Sequence, residues 1–171
     1  MNPKTSYSYQ EIIQIANGEF FGPDAGRLPL PNMLMFDRIT HISEEGGKYG
    51  KGEIIAELDV KPDLWFFQCH FKDDPVMPGS LGLDGLLQLG GFFMNHIGLR
   101  GKGRALGCES LKFFGEVLPI NKMVSYIIDI KRVIQLKMKM IIADGILQID
   151  GKTIYTCESM KIGLIVNGSS A

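Results

Sequence analysis

One stretch constrains the fold more than any other. Between Ser80 and Ile97 the chain carries Leu81, Leu83, Leu86, Leu87, Leu89, Phe92, Phe93 and Met94, which cover nearly the whole circumference of a helix. A helix apolar all round must be buried. Four glycines interrupt it, Gly82, Gly85, Gly90 and Gly91, each about 1 kcal/mol worse than alanine in a helix interior. Close approach by another backbone, such as a sheet laid against the helix, would compensate for them. At about 1.5 Å per residue the helix would run roughly 25 Å.

After Gly101 the apolar period changes to two, over Arg104–Phe114, Met123–Ile134, Leu136–Ile149 and Thr153–Val166. That alternation predicts four long strands. Asp150-Gly151 between two apolar runs signals a two-residue hairpin, and Asp144-Gly145 inside a run reads as a bulge. Upstream, Asn32–Ile39 and Lys51–Val60 read as two further strands, Pro62–Phe67 as an aromatic helical turn, and Ser8–Gly18 as a short amphipathic helix appended to the N-terminus. The sum is an α+β chain in which a curved antiparallel sheet of about six strands wraps one buried helix. One sheet face cannot cover such a helix on all sides, so either the sheet curls or a second copy helps. The 171 residues are read as one domain, with residues 1–31 as N-terminal helix and loop and 167–171 as a loose tail.

A net charge of −1 argues against bulk binding to nucleic acid or anionic membrane. No apolar run approaches the roughly 18 residues of a membrane span, and Met1–Gln10 lacks the basic-then-apolar pattern of a secretory leader. Cys69, Cys108 and Cys157 stand far apart without C-x-x-C spacing, so reduced thiols and a cytoplasmic location are expected.

The chemistry concentrates in the segment Cys69–Ser80. His41 reads as a surface residue and His96 as a helix-end imidazolium favoured by the dipole. His70 differs, because two prolines, Pro75 and Pro78, constrain its loop just before the helix. Satisfying loop carbonyls is its bland alternative role. Asp84 sits among leucines in the helix's second turn, and a lone carboxylate there would lose several kcal/mol or take up a proton. The helix N-terminus and one hydroxyl could satisfy it; a functional carboxyl in an apolar tunnel is the favoured reading. Together these groups suit proton removal beside a thioester carbonyl. His70 would be the base, amides at Gly79 and Ser80 the donors to the enolate oxygen, and Asp84 the acid for a departing hydroxyl. Cys69 beside His70 points the opposite way in extended chain and makes a poor dyad. Gly101–Gly107 has the wrong spacing for a dinucleotide loop, and no second His or Cys stands at metal-ligand spacing from His70.

Several stretches carry a resemblance: Pro31–Met35, Asp37-Arg38, Pro62–Phe67, Cys69-His70-Phe71, Asp74–Gly79, Leu81–Asp84, Gly103–Gly107 and Val117-Leu118-Pro119. Over roughly Tyr9–Ile165 the sequence resembles the bacterial 3-hydroxydecanoyl-acyl-carrier-protein dehydratase/isomerases of the hot-dog-fold dehydratases. The resemblance implies a helix wrapped by a curved sheet, no cofactor, and a homodimer in which His70 of one chain faces Asp84 of the other. It implies that the Gly79 amide holds the thioester carbonyl and that the Val76 carbonyl orients His70. Asp at position 84, where dehydratases without isomerase activity carry Glu, points to the branch that makes trans-2-enoyl and then cis-3-enoyl products. Ser80 replaces the family's usual Cys, and Gly85-Leu86-Leu87 replaces Ala-Met-Trp, which alters the volume on the buried helix.

An acyl carrier protein would be an acidic partner. From Arg100 to Lys139 there are nine cations, Arg100, Lys102, Arg104, Lys112, Lys122, Lys131, Arg132, Lys137 and Lys139, against Glu109, Glu116 and Asp129. Lys131, Arg132, Lys137, Lys139 and Lys161 are the docking candidates, with a solvated strand face as the bland alternative. A hot-dog thioesterase and an inactive acyl-binding homologue are the competing functions.

Overall fold

The computed structural model describes residues 4–136 and 138–165; the expected tail at 167–171 and the docking candidate Lys137 lie outside them. Ten elements follow one another: α1 (Tyr9–Asn17), β1 (Arg38–Ser43), β2 (Glu53–Asp59), a 3₁₀ turn (Trp65–Gln68), α2 (Gly79–His96), β3 (Lys102–Gly107), β4 (Ser110–Phe113), β5 (Met123–Gln135), β6 (Lys139–Ile149) and β7 (Lys152–Ile165). All strand pairs are antiparallel, in the order β1-β2-β5-β6-β7-β3, and β4 also pairs with β7. Among the described residues no helix is long and apolar enough to cross a membrane.

The sheet has seven strands rather than six, because the 104–114 run divides. Gly103 to Ala105 pair with Leu164 to Ile162 near the end of β7, whereas Ser110 to Phe113 pair with Glu158 to Tyr155 further back. The register shifts between them, so one apolar run yields two short edge strands. The Asp150-Gly151 hairpin forms as expected. Both residues take positive φ, 50° and 83°, which matches the twist a two-residue hairpin needs. The expected bulge at Asp144-Gly145 is also present, since Ala143 pairs with Met160 but Gly145 pairs with Cys157. The extra residue is on β7, where Ser159 has φ 51°.

Residues 32–37 are not a strand, contrary to the expectation for Asn32–Ile39, and β1 begins only at Arg38. Leu34, Met35 and Phe36 are buried, but the Gln88 side chain takes the Met35 amide and the Met33 carbonyl. Hydrogen bonds a sheet neighbour would have made are met by α2 instead. Likewise α1 is more than an appendage, since Ile12, Ile15 and Ala16 join the main core. Gly18 in the left-handed conformation ends it.

The inner face of the sheet supplies Tyr126, Ile128, Ile130, Ala143 and Leu147, all fully buried, and α2 lies against it. The glycines allow the approach. A Cβ on Gly82 would strike the Tyr155 ring, one on Gly85 would sit 2.5 Å from Tyr126, and one on Gly90 2.8 Å from Ile162. Cover is nevertheless incomplete: Leu83, Asp84, Leu87, Gln88 and Gly91 are only half-buried. Their spacing of three and four residues draws one open stripe along the helix.

Candidate functional site

The 69–78 loop is held by its own backbone. The His70 amide donates to the Phe66 carbonyl at 2.9 Å, Val76 donates to the His70 carbonyl at 2.8 Å, and Met77 donates to Val117 at 3.0 Å. The peptide bond between His70 and Phe71 is cis, and the two rings stack with centroids 3.9 Å apart. His70 Nδ1 lies 2.9 Å from the Val76 carbonyl oxygen. That oxygen can only accept, so in the neutral imidazole the proton sits on Nδ1 and the lone pair on Nε2.

Helix α2 begins beside this imidazole. Pro78 is its N-cap, Leu81 donates to the Pro78 carbonyl, and the Gly79 and Ser80 amides have no protein acceptor among the described residues. Such first-turn N–H groups, at the positive end of the helix, suit an anionic oxygen. They open with His70 into a cavity of about 450 Å³ that is also lined by Val76, Phe113 and Tyr155. Phe113 meets Tyr155 edge to face at 4.6 Å and packs so closely on Gly79 that a Cβ there would lie 2.9 Å from its ring. A side chain at position 79 would therefore displace that ring, which is one wall of the cavity.

Asp84 lies elsewhere. It lines a second cavity, about 370 Å³, over the open stripe of α2, with Met33, Leu87, Gln88, Gly91, Phe92, Asn95, Ile162 and Leu164 among the other walls. No residue lines both cavities. Asp84 Oδ2 accepts a 2.6 Å hydrogen bond from Gln88 Nε2, which also donates to the Met33 carbonyl at 2.8 Å. At the far end, buried Asn95 exchanges two hydrogen bonds with the Gly26 backbone, at 3.1 and 2.8 Å. Two amide side chains thus fasten the 26–35 segment over the groove. Sequence reasoning passed over both Gln88 and Asn95. The available signal was a pair of amides on an otherwise apolar helix, one of them four residues after Asp84.

The remaining histidines have other roles. His41 is half-buried on β1, 3.4 Å from Glu53. His96 accepts from or donates to the Tyr7 hydroxyl at 2.9 Å. Burial lowers its pKa, so the expected helix-end imidazolium is disfavoured. Tyr7 is a phenol pushed up to about 12 by burial and by the nearby Glu11 charge, so its hydroxyl keeps its own proton.

The docking candidates separate into engaged and open groups. Lys131 donates to Ser159 Oγ at 2.9 Å and lies 3.2 Å from Asp144, and Lys161 lies 3.7 Å from Glu109. Burial pushes the Asp144 carboxyl up, but Tyr49, the Ser159 amide and Lys131 together hold it below the ordinary value. Arg132 and Lys139 have no carboxylate within ion-pair distance among the described residues, and Lys139 lines a further cavity with Arg100 and Lys102.

Three solved structures that superpose on this chain are each 11% identical to it, so they speak to architecture alone. The ApeI:P dehydratase heterocomplex of Xenorhabdus doucetiae superposes with a TM-score of 0.60, over 81% of this chain and 88% of that one. A hypothetical thioesterase with coenzyme A from Streptococcus pneumoniae gives 0.52, over 77% and 87%, and AziG of S. sahachiroi gives 0.50, over 75% and 90%. With this sheet and helix the chain has the hot-dog fold. The model of the FabA-like domain matches residues 28–158, a span containing the His70 loop, both cavities' helix and six complete strands, and the chain belongs to that family.

Proposed function

We propose that this protein dehydrates (3R)-3-hydroxyacyl thioesters of about ten carbons, carried by an acyl carrier protein, to trans-2-enoyl thioesters and isomerises these to cis-3-enoyl products. The observation that carries the reading is the complementary incompleteness of the two cavities. One has a base with a free Nε2 and two unengaged amides; the other has a carboxyl at one end of an apolar groove. A homodimer that sets His70 of one copy against Asp84 of the other makes them whole, and the solvent-facing edge strand β3, exposed along all six residues, gives such a partner a surface to pair with.

In the forward step the thioester oxygen accepts from the Gly79 amide, with Ser80 beside it, which stabilises charge developing on that oxygen. His70 Nε2 takes a proton from C2 while the Val76 carbonyl holds Nδ1–H and the ring's orientation. Protonated Asp84 gives its proton to the hydroxyl on C3, which leaves as water as the C2–C3 double bond forms. In isomerisation a proton leaves C4 and one returns to C2, with the same amides holding the dienolate oxygen. The acidic carrier docks through Arg132, Lys139 and Lys137, with Lys131 and Lys161 contributing at the rim.

Purified protein incubated with 3-hydroxydecanoyl thioester tests this directly, with trans-2, cis-3 and free-thiol products resolved over time. Both enoyl products are expected, and His70→Asn should lower the rate about 10²–10⁴-fold, the usual worth of a positioned base. Trans-2 product alone removes the isomerase half, free thiol in place of enoyl product makes the protein a thioesterase, and no turnover makes it an acyl-binding homologue.

A further inference from the structure

The sheet accounts for three of the four glycines in α2 and leaves the fourth unexplained. Gly82, Gly85 and Gly90 each face a sheet side chain that a Cβ would overlap, but a Cβ on Gly91 would meet nothing within 4 Å. Glycine is a poor helix residue, so no packing among the described residues favours it there. What Gly91 does face is the groove that Asp84 lines. It lies seven residues beyond Asp84, two turns along the same side and about 10 Å away at 1.5 Å per residue. Leu87 stands between them. The opposite wall, residues 26–35, cannot simply lift to make room, because Gln88 fastens it at Met33 and Met35 and Asn95 fastens it at Gly26.

We infer that Gly91 determines the acyl length this groove accepts, by leaving open the space into which the distal end of the chain runs. The inference rests on the proposed thioester chemistry at Asp84. Extended chain advances about 1.2 Å per bond, taking about 3.6 Å for the three backbone bonds of a residue. A substrate with its third carbon at Asp84 therefore brings roughly its eleventh carbon over Gly91, about eight bonds on, and the end of a ten-carbon chain within about one bond of it. Phe92, Ile162 and Leu164 are among the apolar walls of the groove in which that tail would lie, which Arg27 and Arg104 also line. Any side chain at position 91 would occupy the same volume as the last few methylenes, and would do so without touching Asp84.

The test compares wild type, Gly91→Ala and Gly91→Leu on 3-hydroxyhexanoyl, 3-hydroxydecanoyl and 3-hydroxydodecanoyl thioesters, with the melting temperature and sedimentation of each variant. Each methylene denied its cover is worth about fourfold. Gly91→Leu should therefore lose at least about tenfold in kcat/KM on the two longer substrates and stay within about twofold of wild type on the shortest. Gly91→Ala should fall between and melt no lower than wild type. A uniform loss at all lengths, a loss accompanied by a changed oligomeric state, or no loss at all overturns the inference. Wild type that turns over none of the three would instead overturn the proposed function. Equilibrium binding of unreactive acyl thioethers with the same tails then decides: selective loss of the longer tails in Gly91→Leu upholds the role of Gly91, and length-independent binding removes it.

Discussion

Gln88 Nε2 donates to Asp84 Oδ2 at 2.6 Å and to the Met33 carbonyl at 2.8 Å, so one side chain fixes both the groove's carboxyl and the groove's wall. Its Oε1 completes the arrangement by accepting from the Met35 amide. Among the described residues only Oδ2 is engaged, which leaves Oδ1 for the hydroxyl contact proposed above.

Gln88→Ala removes the orienting donor and leaves the Met35 amide without its acceptor. A fall in kcat of about 10–100-fold is expected, with a smaller change in KM, in steady-state dehydration of a hydroxyacyl thioester. Gln88→Glu is the sharper variant. A second carboxylate beside Asp84 favours the protonated form of the pair, so the limb of the pH–rate profile that reports Asp84 should move to higher pH. An unmoved profile would show that Gln88 serves only the wall.

Gly85→Ala should destabilise the fold although alanine is the better helix former. The new Cβ would lie 2.5 Å from Tyr126, which is fully buried and has no room to retreat. Overpacking of this kind costs about 1–3 kcal/mol, against roughly 1 kcal/mol gained from propensity. Urea denaturation should give a lower midpoint than wild type with an unchanged slope.

Stability should fall on mild acidification through His96. Its pKa is depressed by burial below the ordinary 6.5, so the unfolded chain binds the proton more readily than the folded one. The contribution is complete above about pH 6.5 and is lost as pH drops through the folded value. His96→Gln should flatten the melting temperature between pH 7 and the acid side of that window. A slope identical to wild type would assign the loss to other groups.

Two neighbouring cations on β5 should respond differently to reversal. Arg132→Glu, alone or with Lys137→Glu, should raise KM severalfold for carrier-bound substrate and leave a short thioester mimic unaffected. Lys131→Glu sets a carboxylate against Asp144, 3.2 Å from the present ammonium, and should lower the melting temperature. Equal effects of Arg132→Glu on both substrates would remove Arg132 from docking.

Much of the architecture is local enough to be legible in order along the chain. The all-apolar helix with its glycines required a sheet close by, Asp150-Gly151 required a tight hairpin, and Asp144-Gly145 marked an irregularity in the ladder, each for reasons contained in a few adjacent residues. His70 was singled out by its proline-bounded loop and Asp84 by being a carboxyl among leucines. Those inferences need only the preferences of residues and their immediate neighbours.

What tertiary structure decided depends on partners far away in the chain. Residues 32–37 read as a strand from their apolar run Met33–Phe36, yet Gln88, more than fifty positions on, takes the hydrogen bonds of Met33 and Met35. The run from Arg104 to Phe114 looks continuous, yet its two ends pair with different parts of β7. Lys131 looks like a free surface cation until Asp144 and Ser159 are placed beside it. Periodicity reports which face of a segment is apolar, not which distant group will satisfy its polar atoms. That is why the sequence alone determined the layers of this protein, while the separation of His70 from Asp84 into two different cavities, and the open floor at Gly91, emerged only from how the layers close on one another.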